Sequence, residues 1–159
     1  MTLRNQIDRG LEYFLVFIMS ILVIDVLWQV TSRYIFNSPS SFTDELAGFL
    51  LIWVGLFGAA YVTGKQEHLA IDLLIQKSKP ANKKKLEKVI NILILLFALF
   101  VLVVGGSWLV YTRFILEVKS AALQLPLGYV YIVLPISGLL ITFYSIDNII
   151  QMRSNTINQ

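Results

Sequence analysis

One acidic residue, Asp25, stands deep within a long apolar stretch, where an ionisable side chain is a candidate for function. On a helix it shares one face, about 100° wide, with three polar residues, Gln29, Ser32 and Arg33. A carboxylate in this position suits a proton or sodium relay. It also suits a hydrogen bond to a neighbouring helix or to a basic group on a partner. Because a hard cation prefers about six oxygen ligands, one acid alone favours the bonding role over ion coupling.

The rest of the sequence lacks the residues that common catalytic and metal sites need. It contains no cysteine, which excludes disulfides, thiol nucleophiles and cysteine-bound metals. Its one histidine, His68, cannot build a multi-histidine metal site within one chain. The Gly105-Gly106 pair lies inside an apolar run rather than in a phosphate-binding loop. The sequence therefore predicts a protein that is not an enzyme, with no catalytic residue, no metal site and no cofactor.

Two adjacent acids, Asp44 and Glu45, open the second apolar stretch. Acids in the first turn of a helix are stabilised by the positive end of the helix dipole, which is one explanation for their presence. The other explanation is an exposed acidic contact for a partner outside the cytoplasm. Both interpretations need a helix that begins close to Asp44.

Four long apolar stretches carry these residues, at about 11–36, 44–64, 86–112 and 127–149. Of the 159 residues, 57% are hydrophobic and only 14% are charged, whereas soluble domains carry about 25% charged residues. A helix of roughly 20 residues spans the hydrocarbon core of a bilayer. The sequence therefore predicts an all-α integral membrane protein with four transmembrane helices in one domain, 1–159.

The distribution of positive charge predicts the orientation of the chain. Of the 13 Lys and Arg residues, ten lie in the two terminal tails and in the segment 65–88 between the second and third stretches. The positive-inside rule places both termini and this lysine-rich loop in the cytoplasm. The connections on the other side of the membrane carry the remaining three.

The lysine-rich loop is expected to lie on the membrane surface. Apolar residues interspersed with polar ones in 67–76 predict a short interfacial amphipathic helix. Six lysines in the loop are expected to attract anionic headgroups: Lys77, Lys79, Lys83, Lys84, Lys85 and Lys88. They have no interleaved arginine or aromatic residues, so the predicted partner is membrane lipid and not nucleic acid.

Small residues form stripes on two of the predicted helices. On the second, Gly48, Gly55 and Ala59 lie within about 40° of one another around the axis. On the fourth, Gly138 and Thr142 lie on one side. Small residues let helices approach closely in lipid. These stripes, like the polar face of the first helix, are therefore predicted to be packing or subunit-contact surfaces.

An ordered series of short motifs runs through the chain. It comprises Arg33-Tyr34-Ile35-Phe36-Asn37-Ser38-Pro39, Phe42-Thr43-Asp44-Glu45-Leu46, Trp53-Val54-Gly55-Leu56-Phe57-Gly58-Ala59-Ala60 and His68-Leu69-Ala70-Ile71-Asp72, with Leu125-Pro126 and Leu134-Pro135-Ile136 further on. In order and spacing this series resembles the small membrane subunit of the tripartite ATP-independent periplasmic (TRAP) transporters, the DctQ-like family. The chain departs from the family pattern at Phe42, where tryptophan is usual, and at Gly128, where an aromatic residue is frequent.

The resemblance implies a bacterial inner-membrane protein that helps a sodium-driven importer. In such systems a periplasmic binding protein captures an organic acid, and a large membrane subunit moves it inward. The small subunit docks on the large one and stabilises it. On this resemblance the packing faces hold the bundle together or meet the large subunit. Four charged residues then become possible contacts for the binding protein: Asp44, Glu45, Glu117 and Lys119.

The cargo and two alternative functions stay open at this point. C4-dicarboxylates and sialic acids are both common cargo in the family, and the chain as a whole favours sialic acid. The main alternative is a small stand-alone, proton-coupled four-helix carrier that uses Asp25. A second is a membrane scaffold unrelated to transport. Transporter cores build their sites from broken helices in repeated halves. This sequence shows neither broken helices nor repeated halves, which favours an accessory subunit over a carrier.

Overall fold

The computed structural model describes residues 3–38, 40–65 and 80–157. These residues form α1 (Leu3–Tyr34), α2 (Ser41–Lys65), α3 (Pro80–Phe97), a π-helix (Ala98–Gly105), α4 (Gly106–Ile115), α5 (Leu127–Tyr131) and α6 (Val133–Ile157). The segments α3, π-helix and α4 follow one another without a break and are here called the third span. The segments α5 and α6 make up the fourth span.

Four helical stretches are long and apolar enough to cross a membrane: Arg4–Tyr34, Ser41–Lys65, Leu86–Ile115 and Leu127–Gln151. The predicted all-α membrane fold is therefore confirmed. Within the described ranges there is no strand, only an isolated β-bridge between Lys119 and Pro126. The segment 67–76, for which an interfacial helix is predicted, lies outside the described residues.

The fourth span is the centre of the bundle. Both α2 and the third span pack against α6, and α1 packs along α2. In the most apolar part of the fourth span 39% of the residues are buried, against 11% in the first span and 17% in the second and third. Most of the surface of the three outer spans is therefore left for lipid or for another protein.

Aromatic side chains fill the core between α1 and α2. The rings of Phe14 and Phe57 meet edge to face with 5.2 Å between their centroids, a favoured arrangement for aromatic pairs. The ring of Trp53 lies 5.9 Å from that of Phe57. Its indole N–H donates to the carbonyl of Val130 at 2.9 Å. Trp53 therefore satisfies its polar atom inside the bundle and ties the second span to the fourth.

Two glycines bring the third and fourth spans close together. A Cβ added at Gly138 would lie 2.7 Å from Cβ of Leu102, and one added at Gly106 would lie 2.8 Å from Cβ of Leu134. Leu102 belongs to the π-helix, and together with Ala98 and Gly106 it forms a buried series at four-residue spacing. The close approach therefore depends on the missing side chains at these two glycines.

The fourth span is interrupted near its start, at Ile132. The break separates α5 from α6 and lies three residues before Pro135. Proline cannot donate a backbone hydrogen bond, and its ring disturbs the preceding turn, so a kink is expected there. Backbone bonds from Ile132 to Gly128 at 3.1 Å and from Ile136 to Ile132 at 3.4 Å carry the helix across the break.

Candidate functional site

The seam between α1 and α2 contains the acid singled out from the sequence. The buried residues of α1 recur every seven positions: Leu11, Ile18, Asp25 and Ser32. This is the spacing of coiled-coil packing. The Asp25 side chain is 7% exposed, and its Oδ2 has no hydrogen-bond partner among the described residues. Asp25 is therefore enclosed by its own chain and is not presented to an outside partner.

Gln29 and Arg33, one and two helical turns after Asp25, both contact Asp44 at the start of α2. The Gln29 side-chain amide donates to the Asp44 carboxylate, and Arg33 Nη2 lies 3.6 Å from Asp44 Oδ1. About half of each charged side chain is exposed, so solvent screens the ion pair and limits its contribution to about 1 kcal/mol or less. The predicted polar face thus joins the end of α1 to the start of α2, with Asp25 left out of the group.

The Glu45 carboxylate closes a backbone clamp on the loop between the third and fourth spans. Its Oε1 accepts the N–H of Ala121 at 2.9 Å, and its Oε2 accepts those of Ala122 at 2.9 Å and Leu123 at 2.7 Å. Hydrogen bonds with a charged partner are stronger than neutral ones. The sequence left two roles open for Glu45, an interaction with the helix dipole and an exposed contact for a partner, and in the structure its carboxylate binds the chain's own backbone.

The other two charged residues predicted to meet a binding protein, Glu117 and Lys119, are both exposed. Glu117 has a φ of 48°, in the left-handed region, and it ends the turn that follows α4. Bonds from Val118 N to Arg113 O at 3.2 Å and from Leu127 N to Val118 O at 2.9 Å hold the loop on both sides. The loop is therefore well braced, with these two side chains pointing away from it.

The two small-residue stripes have opposite surroundings. On α2, Gly48, Gly55 and Ala59 are exposed, and a Cβ at either glycine would meet no described atom within 4 Å. On α6, Gly138 is buried against the third span, as described above. The Thr142 hydroxyl next to it is buried without a hydrogen-bond partner among the described residues. The α6 stripe therefore packs inside the bundle, and the α2 stripe faces outward.

A polar cluster joins α1, α2 and α6 at the end of the bundle that carries both termini. The Arg4 guanidinium donates to the Asp147 carboxylate, to the Gly64 carbonyl and, at 3.2 Å, to Asn148 Oδ1. Asn148 in turn donates to the Thr63 carbonyl at 3.1 Å. Arg4 therefore satisfies a carbonyl at the end of α2, where helices leave their last carbonyls without partners.

Asp8 extends this cluster one turn along α1. It accepts the Tyr144 hydroxyl at 2.5 Å and lies 3.8 Å from Lys65 Nζ. Sequence reasoning used Arg4 only as a topology signal and missed the whole cluster. The available signals were the i, i+4 spacing of Arg4 and Asp8 and the pair Asp147-Asn148 in an otherwise apolar helix end.

The lysines predicted to meet lipid headgroups are only partly described. Lys77 and Lys79 lie outside the described residues, as does His68. Lys83, Lys84 and Lys85 belong to the first two turns of α3, and Lys88 is exposed further along it. Within the described parts of the chain, no three His, Cys, Asp or Glu side chains are grouped so that they could hold a metal ion.

Comparison with known proteins gives one family. The model of the DctQ component of tripartite ATP-independent periplasmic transporters matches residues 22–155. A putative TRAP transporter small permease protein of Haemophilus influenzae is 28% identical over 151 residues, covering 94% of this chain and 91% of the relative.

Two relatives from Vibrio cholerae carry more specific names. The C4-dicarboxylate TRAP transporter small permease protein DctQ is 30% identical over 114 residues, covering 71% of this chain and 48% of the relative. The sialic acid TRAP transporter small permease protein SiaQ is 23% identical over 150 residues, covering 94% of this chain and 85% of the relative.

Proposed function

The chain belongs to the DctQ component family of the tripartite ATP-independent periplasmic transporters, and on that premise we propose that it docks on a large transport subunit and stabilises it. As a small TRAP permease subunit it is a multi-pass protein of the bacterial inner membrane, and it is a transporter component rather than an enzyme. We further propose that both termini lie in the cytoplasm, as the positive-inside rule predicts.

The observation that carries the docking proposal is the low burial of the three outer spans. A helix bundle that served as a complete carrier would enclose a pathway among its own helices. Here the fourth span is central, and most of the apolar surface of the others faces away from the bundle. On α2 that outward surface includes Gly48 and Gly55, whose missing side chains would let a second protein approach the backbone.

We propose that the cargo is an organic acid, with sialic acid favoured over C4-dicarboxylates. We also propose that a sodium gradient drives its uptake. The relative named for sialic acid matches 94% of this chain, against 71% for the one named for C4-dicarboxylates. A periplasmic binding protein would deliver the acid. The exposed charges of Glu117 and Lys119 are our candidates for its contact, because the Glu45 carboxylate is occupied by the chain's own backbone. Asp44 stays a weaker candidate, paired with Arg33.

Co-purification tests the docking proposal. The chain, tagged at its C terminus, is extracted from native membranes in mild detergent, and the proteins that accompany it are identified by mass spectrometry. A large integral membrane permease in stoichiometric amount supports the proposal. Recovery of the tagged chain alone or as a homodimer contradicts it.

A matched pair of glycine variants then tests the surface of contact. Gly55→Leu adds bulk to the outward face of α2, and Gly10→Leu adds the same bulk on α1, where a Cβ also meets no described atom within 4 Å. We expect Gly55→Leu to lose the large subunit and Gly10→Leu to retain it. Retention by both variants contradicts a contact at this stripe.

The alternative, a stand-alone proton-coupled carrier, rests on the buried Asp25 with its unpartnered Oδ2. Uptake by the assembled transporter separates the two functions. Asp25→Asn keeps the size and shape of the side chain and removes its ability to carry a proton. Unchanged uptake supports the role of an accessory subunit. Loss of uptake in a variant that still assembles supports the stand-alone carrier.

A further inference from the structure

The loop between the third and fourth spans, residues 116–126 and here called the connecting loop, is folded back on itself by its own hydrogen bonds. The N–H of Leu127 donates to the carbonyl of Val118 at 2.9 Å, and the N–H of Ser120 donates to the carbonyl of Leu125 at 2.9 Å. The Leu125 N–H in turn donates to the Ser120 hydroxyl at 3.2 Å. These bonds fix the shape of the loop from its base at α4 and α5 to its tip.

Two residues of the connecting loop have a left-handed backbone although they are not glycine. Glu117 has a φ of 48° and Gln124 has a φ of 55°. A side chain makes this region unfavourable, so such residues persist where surrounding contacts hold them there. One of these contacts is the bond from the Gln124 side-chain amide to the Ala121 carbonyl at 2.9 Å. The conformation of the loop therefore depends on its contacts.

Glu45 attaches the tip of the connecting loop to α2. Its carboxylate accepts the three consecutive N–H groups of Ala121, Ala122 and Leu123. The bonds within the loop fix its shape, whereas the bonds to Glu45 fix its direction relative to a rigid helix. Without the carboxylate, a loop of the same shape could turn about its base.

The surface that the connecting loop presents is suited to a protein partner. Glu117 and Lys119 carry opposite charges two residues apart and are both exposed. The side chains of Leu116 and Leu125, 63% and 46% exposed, belong to the same loop. Apolar residues with charged neighbours are usual at protein contacts, whereas anionic lipid attracts positive charge alone. The loop lies at the end of the bundle opposite both termini, where a soluble protein can approach it.

On the premise that a binding protein delivers the cargo, as proposed above, we propose that Glu45 is a positioning residue for this contact. It holds the connecting loop so that Glu117 and Lys119 meet the binding protein together. A loop that can turn must be ordered when the partner binds, and this ordering weakens the complex. Glu45 acts through the loop and does not touch the partner, so its removal weakens docking and leaves the transport step intact.

Cross-linking from the connecting loop identifies the partner. Because the chain has no cysteine, Leu125→Cys provides a single attachment point for a photoactivated cross-linker and keeps Glu117 and Lys119. The reaction is run on intact cells, and the captured protein is identified by mass spectrometry. We expect a soluble substrate-binding protein, captured in lower yield when Glu45→Ala is added. Glu12→Ala, which removes an exposed acid at the other end of the bundle, is the matched control and should not change the yield.

Uptake by the assembled transporter in vesicles separates positioning from a structural role. The captured binding protein, loaded with its organic acid, is added at increasing concentration. We expect Glu45→Ala to raise the concentration that gives half-maximal uptake about tenfold, the effect of losing one good hydrogen bond with a charged partner, and to leave the maximal rate unchanged. Glu45→Gln, which keeps one acceptor oxygen, should have a smaller effect.

A double variant tests whether Glu45 acts through the connecting loop. Lys119→Ala should also raise the concentration for half-maximal uptake. Added to Glu45→Ala, it should have little further effect, because a loop that is no longer held does not present Lys119 in the required direction. Strictly additive effects would mean that the two residues act independently and would overturn the proposal.

Other results would overturn it as well. Capture of the large subunit or of lipid in place of a binding protein contradicts the partner. Equal cross-linking by Glu45→Ala and Glu12→Ala contradicts the role of Glu45, and a fall in the maximal rate alone indicates a structural role. Failure of the docking proposal is seen separately, since the unsubstituted tagged chain would then not retain the large subunit.

Discussion

The ring of Tyr144 lies against the backbone of Gly64 so closely that a Cβ at position 64 would be 2.8 Å from Tyr144 Cε1. The ring cannot move away easily, because its hydroxyl donates to Asp8 on a third helix at 2.5 Å. The end of α2 is therefore held between an aromatic ring of α6 and the Arg4 side chain of α1.

Gly64→Ala is accordingly expected to destabilise the chain. The added methyl group overlaps the ring, and overpacking of this kind costs about 1–3 kcal/mol. Thermal unfolding in detergent measures the effect. Gly55→Ala is the matched control, because a Cβ there meets no described atom within 4 Å. Equal unfolding midpoints for the two variants would show that the ring has room to move.

Removing the Glu45 carboxylate should loosen the loop between the third and fourth spans. In Glu45→Ala the N–H groups of Ala121, Ala122 and Leu123 lose their common acceptor. Because hydrogen bonds to a charged group contribute about 1.5–3 kcal/mol, we expect these amides to exchange with deuterium at least about tenfold faster. Hydrogen exchange with mass spectrometry measures the change.

The neighbouring acid provides the control for this experiment. Asp44→Ala removes the same charge one residue earlier, on a side chain bonded to α1 and not to the loop. It should leave exchange of the loop amides unchanged. Similar acceleration in both variants would indicate a general charge effect at the start of α2 rather than a clamp.

The Arg4–Asp147 ion pair is expected to stabilise the bundle through a direct interaction between the two side chains. Breaking a partly buried, hydrogen-bonded pair leaves the other charge unsatisfied, so Arg4→Gln and Asp147→Asn should each lower stability by about 1–3 kcal/mol. The double variant should be less destabilised than the sum of the two. Strict additivity in thermal unfolding would contradict a direct interaction.

Replacing Asp25 by leucine should raise stability. Its Oδ2 is buried without a partner in the described structure, and burying an unbonded polar group costs about 1–3 kcal/mol in protein mutational data. An apolar side chain at this seam position fits the heptad spacing of Leu11 and Ile18. The control is Ser32→Ala, whose hydroxyl bonds within its own helix and should matter little. A lower unfolding midpoint for Asp25→Leu would contradict this account of the seam.

The four spans could be predicted from the sequence because length and apolar content are local properties of each stretch. The packing role of Gly138 could be predicted for the same reason, since small residues at helical spacing favour close approach. The direction in which a stripe faces could not be predicted. Gly55 and Gly138 look alike in sequence, and only the arrangement of the helices leaves one exposed and the other buried.

The polar contacts were the least predictable part. Arg4 and Asp147 are separated by 143 positions, and nothing in the local pattern of either residue specifies the other. The bonds of Glu45 could not be predicted because its three donors are backbone N–H groups, which any sequence carries. Such contacts depend on the fold as a whole, so they cannot be predicted from a single sequence alone.

The central place of the fourth span also bears on how the chain is made. Synthesis runs from the N terminus, so α1 and α2 can pair as soon as both have entered the bilayer. Among the described residues the third span packs mainly against the fourth span, which at that stage is still in the ribosome. Until the fourth span is inserted, the surface of the third span around Gly106, which packs against Leu134 in the folded protein, is exposed to lipid. The fourth span thus joins the second and third spans, and a nascent chain that stops before it would leave those two spans without the element that connects them.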